Sequence, residues 1–314
     1  MHWLAQAPAN IALIKYMGKS EENSNLPDNS SLSFTLNNLQ STVQLEIVPG
    51  HKDIWEPLPI PGGAEFTLSA NGQKRFLDHI DRIKLYFDYE GNFLVRSSNN
   101  FPHGSGLASS ASSFAALTKC TCLALEELTG RVLSIDEQAQ LSRLGSGSSC
   151  RSFYSPWALW KNDKVYAIDL PYKNLLHQVV IISAQEKEVS SSLAHKRVKT
   201  SAQYATRNQR AEENLTQLLE AFKAEDWRRI YEICWREFHD MHHLFSSCRE
   251  PFTYINNDST NLLKILENFW ETTGDGPIVT MDAGPNIHLL YRPDQAELAH
   301  QFKLNYLVGN YDVL

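Results

Sequence analysis

The stretch FPHGSGLASSASSFAAL, which spans 101–117, contains residue types that are suited to binding an anion. Gly104 and Gly106 allow the backbone to approach an anion closely, while Ser109 and Ser110 supply hydroxyl groups. The helical pattern that follows would point its unpaired N–H groups and the positive end of its dipole at the loop. The stretch therefore favours phosphate binding, with an ordinary serine-capped turn before a core helix as the alternative.

This loop differs from two common phosphate-binding motifs. No Gly-Lys-Ser or Gly-Lys-Thr follows it, so it is not a Walker loop. The third glycine of the dinucleotide-binding fingerprint is also absent. The stretch therefore indicates phosphate binding of another kind.

Two other stretches place basic side chains in a compact pattern. APANIALIKYMGK brings Lys15, Tyr16 and Lys19 close together, and RLGSGSSCRSF places Arg151 shortly after Ser148. A guanidinium can donate two parallel hydrogen bonds to a carboxylate, so Arg151 is a candidate carboxylate ligand. The alternative for each basic residue is a solvated surface charge, which is the common state of lysine and arginine.

A late aspartate completes the set of candidates. MDAGPN puts Asp282 at the end of a predicted strand, where its carboxylate could act as a base or cap the turn. FHDMHH carries His239, His242 and His243 on a predicted helix. Packing or solvent contact is favoured there over a metal site, because no carboxylate pattern completes one.

The segments that must position these residues predict strands in the first half and helices later. Alternating apolar residues predict a strand over 41–48. Helical spacing begins at 111 and stops at Gly130, and Ser134 with Glu137 forms a capping box for a helix that ends near 145. The remaining predicted elements are a hairpin turning at 162–163, a strand within 177–184, helices at about 202–224, 226–244 and 258–272, and two strands flanking 283–285.

The composition excludes several classes of protein. The 314 residues include 29 Lys and Arg against 36 Asp and Glu, and the net charge of -7 disfavours nucleic acid or an anionic membrane as a partner. The length favours two lobes, which we predict over 1–184 and 185–314. Five cysteines without a paired Cys-x-x-Cys spacing favour reduced thiols and a cytoplasmic location. The N-terminal stretch predicts neither a signal peptide nor a membrane span.

Taken together, these stretches resemble the motifs of the diphosphomevalonate decarboxylases, a family of the GHMP kinase superfamily. The matching segments occur in the family's order over nearly the whole chain. They are KYMGK, LPDNSSLSFTL, the phosphate loop, GSGSSCRS, EKEVSSS, YINNDST and MDAGPN. Each motif alone is a weak signal, but the ordered set is specific.

The resemblance implies an α+β fold, the two-lobed GHMP kinase fold, with a ribosomal-protein-like N-terminal lobe and a ferredoxin-like C-terminal lobe. It implies an enzyme, commonly a homodimer, that uses ATP and Mg²⁺ to convert mevalonate 5-diphosphate into isopentenyl diphosphate, ADP, phosphate and CO₂. Two alternatives share the fold: a decarboxylase of mevalonate 5-phosphate and a mevalonate kinase. An alternative of a different class is a catalytically inactive nucleotide-binding relative.

The resemblance also implies roles for individual residues in the cleft between the lobes. Asp282 would accept or orient the proton of the substrate's 3-hydroxyl with Lys15 close by, and Arg151 would bind the carboxylate. The implied substrate-binding residues are Tyr16, Lys19, Ser146, Ser148, Arg151 and Ser191. The implied ATP-binding residues are Ser97, Asn99, Gly104, Gly106, Leu107, Ala108, Ser109 and Ser110, and the Ser110 hydroxyl is a candidate Mg²⁺ ligand.

The chain departs from the family pattern at several positions, one of which is 103–105, where HGS replaces a more usual threonine-alanine-alanine. Met17 stands where the family often has tryptophan, and Ser192 where some bacterial members have an arginine for the diphosphate. Lys187, Lys196 and Arg197 are the nearby basic residues that could compensate for that arginine. The affinity for a diphosphate therefore depends on which groups the fold brings to this position.

Overall fold

A computed structural model gives the fold and describes residues 1–21, 23–59, 67–101, 109–185 and 187–314. The strands are β1 (His2–Ile14), β2 (Lys19–Glu21), β3 (Leu26–Pro27), β4 (Ser31–Val48), β5 (Ile54–Pro57), β6 (Asn92–Asn99), β7 (Trp157–Lys161), β8 (Lys164–Ala167), β9 (Leu176–Ile181), β10 (Ile278–Met281), β11 (Ile287–Tyr291) and β12 (Asp312–Val313). The α-helices are α1 (Ala70–Phe87), α2 (Ser109–Thr129), α3 (Ile135–Gly145), α4 (Ser191–Arg197), α5 (Arg207–Lys223), α6 (Trp227–Ser247), α7 (Asn257–Thr273) and α8 (Ala296–Phe302). Short 3₁₀ segments cover Gly147–Phe153, Val198–Thr200, Ala202–Thr206 and Pro293–Gln295, and a π-helical turn covers Lys303–Leu307.

The first lobe is built on a sheet whose described strands run in the order β5-β6-β4-β7-β8, with β1 paired to β4. These pairs are antiparallel except for β5 and β6, which are parallel. Val43 and Leu45 of β4 pack in one core with Phe93 of β6 and with Phe114 and Leu117 of α2. Burial of these side chains holds α2 against the sheet.

The second lobe has an antiparallel sheet of order β10-β11-β9-β12. Its core includes Phe238 of α6 and Leu289 of β11, and the same cluster contains Ile11 of β1 and Phe34 of β4. The two lobes therefore share an apolar interface, which fixes the position of β1 relative to α6. This mixed α+β architecture with two lobes agrees with the prediction.

Local sequence signals account for several element ends. Ser134 and Glu137 form both hydrogen bonds of the predicted capping box at the start of α3. Gly130 follows α2 with a φ of 76°, a backbone conformation in which glycine replaces other residues at little cost. Asn162 adopts a φ of 54° in the turn of the β7–β8 hairpin, as predicted. The predicted strand at 41–48 and the three long helices of the second half are also confirmed.

Three features differ from the sequence prediction. Neither α1 nor β6 was among the predicted elements, although Phe76, Ile80, Ile83 and Phe87 bury one face of α1 at helical spacing. The Gly-Ser stretch at 147–153 is a 3₁₀ helix rather than a loop. Strand β9 lies before the predicted lobe boundary but pairs with β11 and β12. The boundary at 184 and 185 stays a prediction, and one placed before β9 would keep each sheet within one lobe.

All five cysteines are buried, and none forms a disulfide. Within the described ranges, no helix combines the length and the apolar character needed to cross a membrane.

Candidate active site

A cavity of about 340 Å³ lies where β1, α2, the 3₁₀ helix at 147–153 and the turn after β10 meet. Residues from distant parts of the sequence line it. Those predicted from the sequence are Lys15, Tyr16, Lys19, Ser109, Ser110, Ser146, Ser148, Arg151, Ser191 and Asp282. The fold therefore brings the predicted catalytic and substrate-binding residues to one place.

Lys15 and Asp282 form an ion pair across the two lobes, with 3.0 Å between Nζ and Oδ1. The Lys15 side chain is 2% exposed and that of Asp282 is 26% exposed, so the carboxylate has the better access to a ligand. Burial would raise the pKa of Asp282, but the charge and the hydrogen bond of Lys15 hold it below its usual value. Burial lowers the pKa of Lys15, and Asp282 opposes that effect. The alternative of a solvated surface charge is wrong for Lys15.

His242 supports the turn that carries Asp282. Its Nε2 lies 3.0 Å from the backbone oxygen of Asp282. Burial lowers the pKa of His242 to about 3, so the ring is neutral and donates one hydrogen bond to that carbonyl. The histidine that the sequence marked for packing therefore also orients the turn.

A buried network holds the backbone of Lys15. Its N–H donates to Oε1 of Glu237 at 3.0 Å, and its carbonyl accepts from Arg207 at 3.2 Å. The Arg207 guanidinium donates to both Glu237 oxygens, and Asn214 donates to Glu237 at 2.7 Å. Glu237 is fully buried. These shared hydrogen bonds fix the end of β1 against α5 and α6.

Arg151 is buried on the opposite side and has its own support. Its Nε donates to Oδ1 of Asn10 at 3.0 Å, and one terminal nitrogen donates to the Ser31 hydroxyl at 2.9 Å. The Asn10 amide donates in turn to the backbone of Ser148 and to the Ser152 hydroxyl. Among the described residues, the side chains that accept hydrogen bonds from Arg151 are neutral, so its positive charge has no carboxylate within hydrogen-bond distance there. The alternative of an exposed turn arginine is wrong.

Tyr16 and Lys19 share a partner at another corner of the cavity. The Tyr16 hydroxyl donates to the Asn25 backbone oxygen at 3.0 Å, and Lys19 Nζ lies 2.6 Å from Asn25 Oδ1. The Tyr16 ring packs between the rings of Trp160 and His195, with centroid distances of 4.7 and 4.5 Å. These contacts fix an aromatic ring and one cation at a single corner of the cavity.

The basic residues near Ser192 do not all reach the cavity. Lys187 lines it and donates to the Ser191 hydroxyl at 3.3 Å and to the Ala283 carbonyl at 2.6 Å. Arg197 instead pairs with Glu250, and neither Arg197 nor Lys196 is part of the lining. Of the three candidates for compensation, Lys187 is therefore the one that faces the site.

The predicted nucleotide side is only partly described. Ser109 and Ser110 begin α2 and line the cavity, and Ser110 accepts a hydrogen bond from Ser146 at 3.3 Å. Gly104, Gly106, Leu107 and Ala108 lie outside the described residues. Ser97 and Asn99 are not among the described residues that line the cavity. The Ser97 hydroxyl accepts a hydrogen bond from the Trp55 ring nitrogen, and Oδ1 of Asn99 accepts one from the Ser41 hydroxyl. Their ATP-binding roles stay predictions.

Several residues of the site are not predicted by the sequence motifs. Arg75 lines the cavity from α1, a helix that was not predicted. Asn10, Ser31 and Glu237 act through hydrogen bonds to Arg151 or Lys15. Asn10 stands within the APANIALIKYMGK stretch, so its position beside a motif was the available signal. Nothing in the local sequence marks Glu237, because its partner Lys15 is distant in the chain.

The whole chain is similar to known proteins of one kind. Residues 7–168 match the family model described as the diphosphomevalonate decarboxylase-like N-terminal domain, and residues 178–310 match the mevalonate 5-diphosphate decarboxylase C-terminal domain. A curated diphosphomevalonate decarboxylase of Danio rerio is 30% identical over 325 residues, covering 94% of this chain and 78% of that protein.

Solved structures extend the similarity to three dimensions. The crystal structure of a mevalonate diphosphate decarboxylase from Legionella pneumophila shares 69% sequence identity with a TM-score of 0.95, and the match covers 100% of both chains. A second structure, "MDDEF in complex with MVAPP, AMPPCP and Magnesium", shares 30% identity with a TM-score of 0.87 and covers 100% of this chain and 96% of that one. The ordered motifs, the two-lobed fold and these matches agree, and the chain belongs to the diphosphomevalonate decarboxylase family.

Proposed function

We propose that this chain catalyses the ATP-dependent decarboxylation of mevalonate 5-diphosphate to isopentenyl diphosphate, releasing ADP, phosphate and CO₂. The observation that carries the proposal is the convergence of Lys15, Arg151 and Asp282 on one cavity beside the first residues of α2. The names of the relatives support the same substrate, and the complex with MVAPP, AMPPCP and magnesium supports ATP and Mg²⁺ as the co-substrate and its metal.

Asp282 acts on the tertiary 3-hydroxyl of the substrate. Its carboxylate accepts the hydroxyl's hydrogen bond and aligns the oxygen for attack on a phosphoryl group. A carboxylate with a lowered pKa is a weak base, so proton transfer to Asp282 follows the formation of the new P–O bond, which acidifies the hydroxyl. Lys15 keeps Asp282 ionised and oriented through their ion pair.

Arg151 acts on the carboxylate. When the C3–O bond breaks, phosphate leaves with the electron pair and C3 becomes electron-poor. The bond between the carboxylate carbon and its neighbour then breaks, its electron pair forms the new double bond, and CO₂ leaves. Arg151 is held by Asn10 and Ser31, so its guanidinium can orient the carboxylate without large movement.

The residues present fit Mg²⁺ that is carried mainly by ATP. Within the described ranges, no group of three or more carboxylate, histidine or cysteine side chains could hold a metal ion. Mg²⁺ commonly keeps water and phosphate oxygens as ligands and binds few protein groups. A single protein ligand, for which the Ser110 hydroxyl is the candidate, is therefore compatible with Mg²⁺ binding. When bound, MgATP supplies the phosphoryl group that makes the 3-hydroxyl a leaving group.

The substrate's diphosphate fits the corner formed by Tyr16, Lys19, Ser146 and Ser191. Two serine hydroxyls and the Lys19 ammonium match the acceptor oxygens and the charge of a diphosphate, and Tyr16 lines the same cavity while its hydroxyl donates to Asn25. Ser148 lies on the same wall, beside Arg151. This corner distinguishes the proposal from a kinase of unphosphorylated mevalonate, which needs no anion-binding corner.

Location and assembly also belong to the proposal. Five buried unpaired cysteines support a reducing compartment such as the cytoplasm. The family resemblance supports a homodimer, which light scattering of the purified protein would test.

The decisive experiment measures CO₂ and ADP from mevalonate 5-diphosphate, mevalonate 5-phosphate and mevalonate, each with MgATP. We expect equal amounts of CO₂ and ADP from the diphosphate. ADP without CO₂ from mevalonate would favour the kinase, CO₂ from the monophosphate alone would favour the other decarboxylase, and no product from any substrate would favour an inactive relative.

A further inference from the structure

His195 lies at the corner of the cavity assigned to the diphosphate, but the proposed reaction gives it no role. It stands on α4 and lines the cavity together with Tyr16, Lys19 and Ser192. Only 8% of its surface is exposed. A buried polar ring at the wall of a cavity needs hydrogen-bond partners for both nitrogens.

The protein supplies a partner for one nitrogen. The backbone N–H of Gly18 donates to Nδ1 of His195 at 3.0 Å. Nδ1 can accept this hydrogen bond only through a lone pair. The proton of the neutral ring is therefore on Nε2. The Tyr16 ring, 4.5 Å away between centroids, packs against the imidazole and fixes its plane.

The backbone conformation that makes this bond requires glycine. Gly18 has a φ of 105°, a value that residues with a side chain rarely adopt. A Cβ on Gly18 would also collide with the Tyr204 hydroxyl. In this conformation the Gly18 N–H donates to Nδ1, and it selects one tautomer of His195.

The other nitrogen is a donor without an acceptor in the described part of the chain. Burial lowers the pKa of His195 to about 3, with Lys19 and Lys199 adding to the effect, so the ring is a neutral donor at ordinary pH. Protonation of Nδ1 would also set two donors against each other at Gly18. The bound substrate is then the natural source of an acceptor.

An anionic oxygen matches this donor best. Lys19 and Lys187 give the surrounding wall positive charge, and Ser192 offers only a hydroxyl. We infer that Nε2–H of His195 donates to an oxygen of the substrate's 5-diphosphate, which makes His195 a substrate-binding and specificity-determining residue. This inference rests on the proposed function, because the diphosphate is the anion that the function brings to this corner.

Two substitutions separate this role from support of Gly18. In His195→Asn, the side-chain oxygen can take the place of Nδ1 and accept from Gly18, but the side chain is too short to reach the position of Nε2. In His195→Gln, the amide nitrogen can reach that position and donate. We expect His195→Asn to raise KM for mevalonate 5-diphosphate by about 10-fold or more, the scale of a lost hydrogen bond to a charged group.

The comparison with ATP and with the second variant decides the interpretation. KM for ATP should stay within about 2-fold, and His195→Gln should recover most of the lost affinity, if the interaction is with the diphosphate. An unchanged KM for mevalonate 5-diphosphate in His195→Asn would overturn the inference. So would equal losses for both ligands in both variants, because His195 would then only support the local fold.

A measurement on the unmodified protein avoids any dependence on variant folding. With ¹⁵N-labelled histidine, the NMR spectrum should show the Nε2–H tautomer, and the resonance of that proton should shift when mevalonate 5-diphosphate saturates the site. No shift at saturation would overturn the inference. Binding by calorimetry is independent of turnover, so a protein that binds the diphosphate through His195 but releases no CO₂ would refute the proposed function alone.

Discussion

Nζ of Lys15 lies 3.0 Å from Oδ1 of Asp282, and this contact joins the end of β1 to the turn after β10. The two residues are 267 positions apart in the chain. The pair places an ionised carboxylate at the wall of the cavity and gives it a fixed direction. His242 holds the turn of Asp282, and Glu237 and Arg207 hold the backbone of Lys15.

Asp282→Asn keeps the shape of the side chain but removes its capacity to accept a proton. We expect kcat to fall by about 10²-fold or more, while the dissociation constants for ATP and mevalonate 5-diphosphate change little. Steady-state kinetics and calorimetry measure the two effects. Asp275→Asn is a matched control, because Asp275 pairs with Arg292 and is not part of the cavity lining. A near-normal kcat in Asp282→Asn would contradict the assigned role.

Lys15→Met should move the acidic limb of the pH profile to higher pH. In the protein, burial would raise the pKa of Asp282 and Lys15 lowers it below the usual value. Removing the cation leaves the burial effect, so the pKa of Asp282 rises and the ionised form is lost at a higher pH. The pH dependence of kcat/KM measures this shift. Lys15→Arg retains the charge and should keep the limb near its original place; an unmoved limb in Lys15→Met would show that another group controls it.

Arg151→Lys retains a positive charge but loses the planar pair of donors. The carboxylate should then be misaligned during loss of CO₂, while phosphorylation of the 3-hydroxyl depends more on Asp282 and the bound nucleotide. We expect ADP to form faster than CO₂ in a single turnover, with the 3-phosphorylated substrate detectable. Quenched-flow measurement of both products tests this; equal slowing without an intermediate would assign Arg151 to binding or phosphorylation instead.

Glu237→Gln should destabilise the protein and misplace Lys15. The substitution removes the buried one of the two carboxylates that pair with Arg207 and leaves Asp240, so we expect a loss of about 3 kcal/mol, the lower end of the range for breaking a buried ion pair. Urea unfolding measures the free energy, and kcat at a temperature where the variant is folded measures the effect on Lys15. Glu232→Gln on the same helix is the control, since its pair with Arg228 is exposed and should change stability by about 0.5 kcal/mol or less. Equal losses of unfolding free energy in the two variants would show that the buried ion pair stabilises the protein no more than the exposed one.

Ser110→Ala tests the nucleotide side of the cavity. Loss of one hydroxyl ligand or hydrogen bond should raise KM for MgATP by about 3- to 10-fold and leave KM for mevalonate 5-diphosphate nearly constant. Kinetics at several Mg²⁺ concentrations would show whether the loss is reversed by excess metal. A change confined to the diphosphate would place Ser110 on the substrate side.

Much of the local structure could be predicted from short stretches of sequence. The capping box of Ser134 and Glu137 depends on residues three positions apart, and the stop at Gly130 depends on one backbone conformation. The types and order of Lys15, Arg151 and Asp282 also pointed to the family, because motifs are read locally. The helix α1 was missed although its apolar spacing is clear, and Arg75 was missed with it.

The sequence by itself determined the elements with strong local signals and the residue types available for chemistry, since turns, caps and helical spacing involve neighbours along the chain. Tertiary structure alone decided which of those residues act together. From the sequence alone, Lys15 could equally be a surface lysine. In the folded chain, β1 packs against α6, the Lys15 backbone N–H donates to Glu237, and the Lys15 amine pairs with Asp282. The single tautomer of His195 depends likewise on Gly18, 177 positions away. Burial and long-range hydrogen bonds set these states, and neither can be read from one segment of sequence.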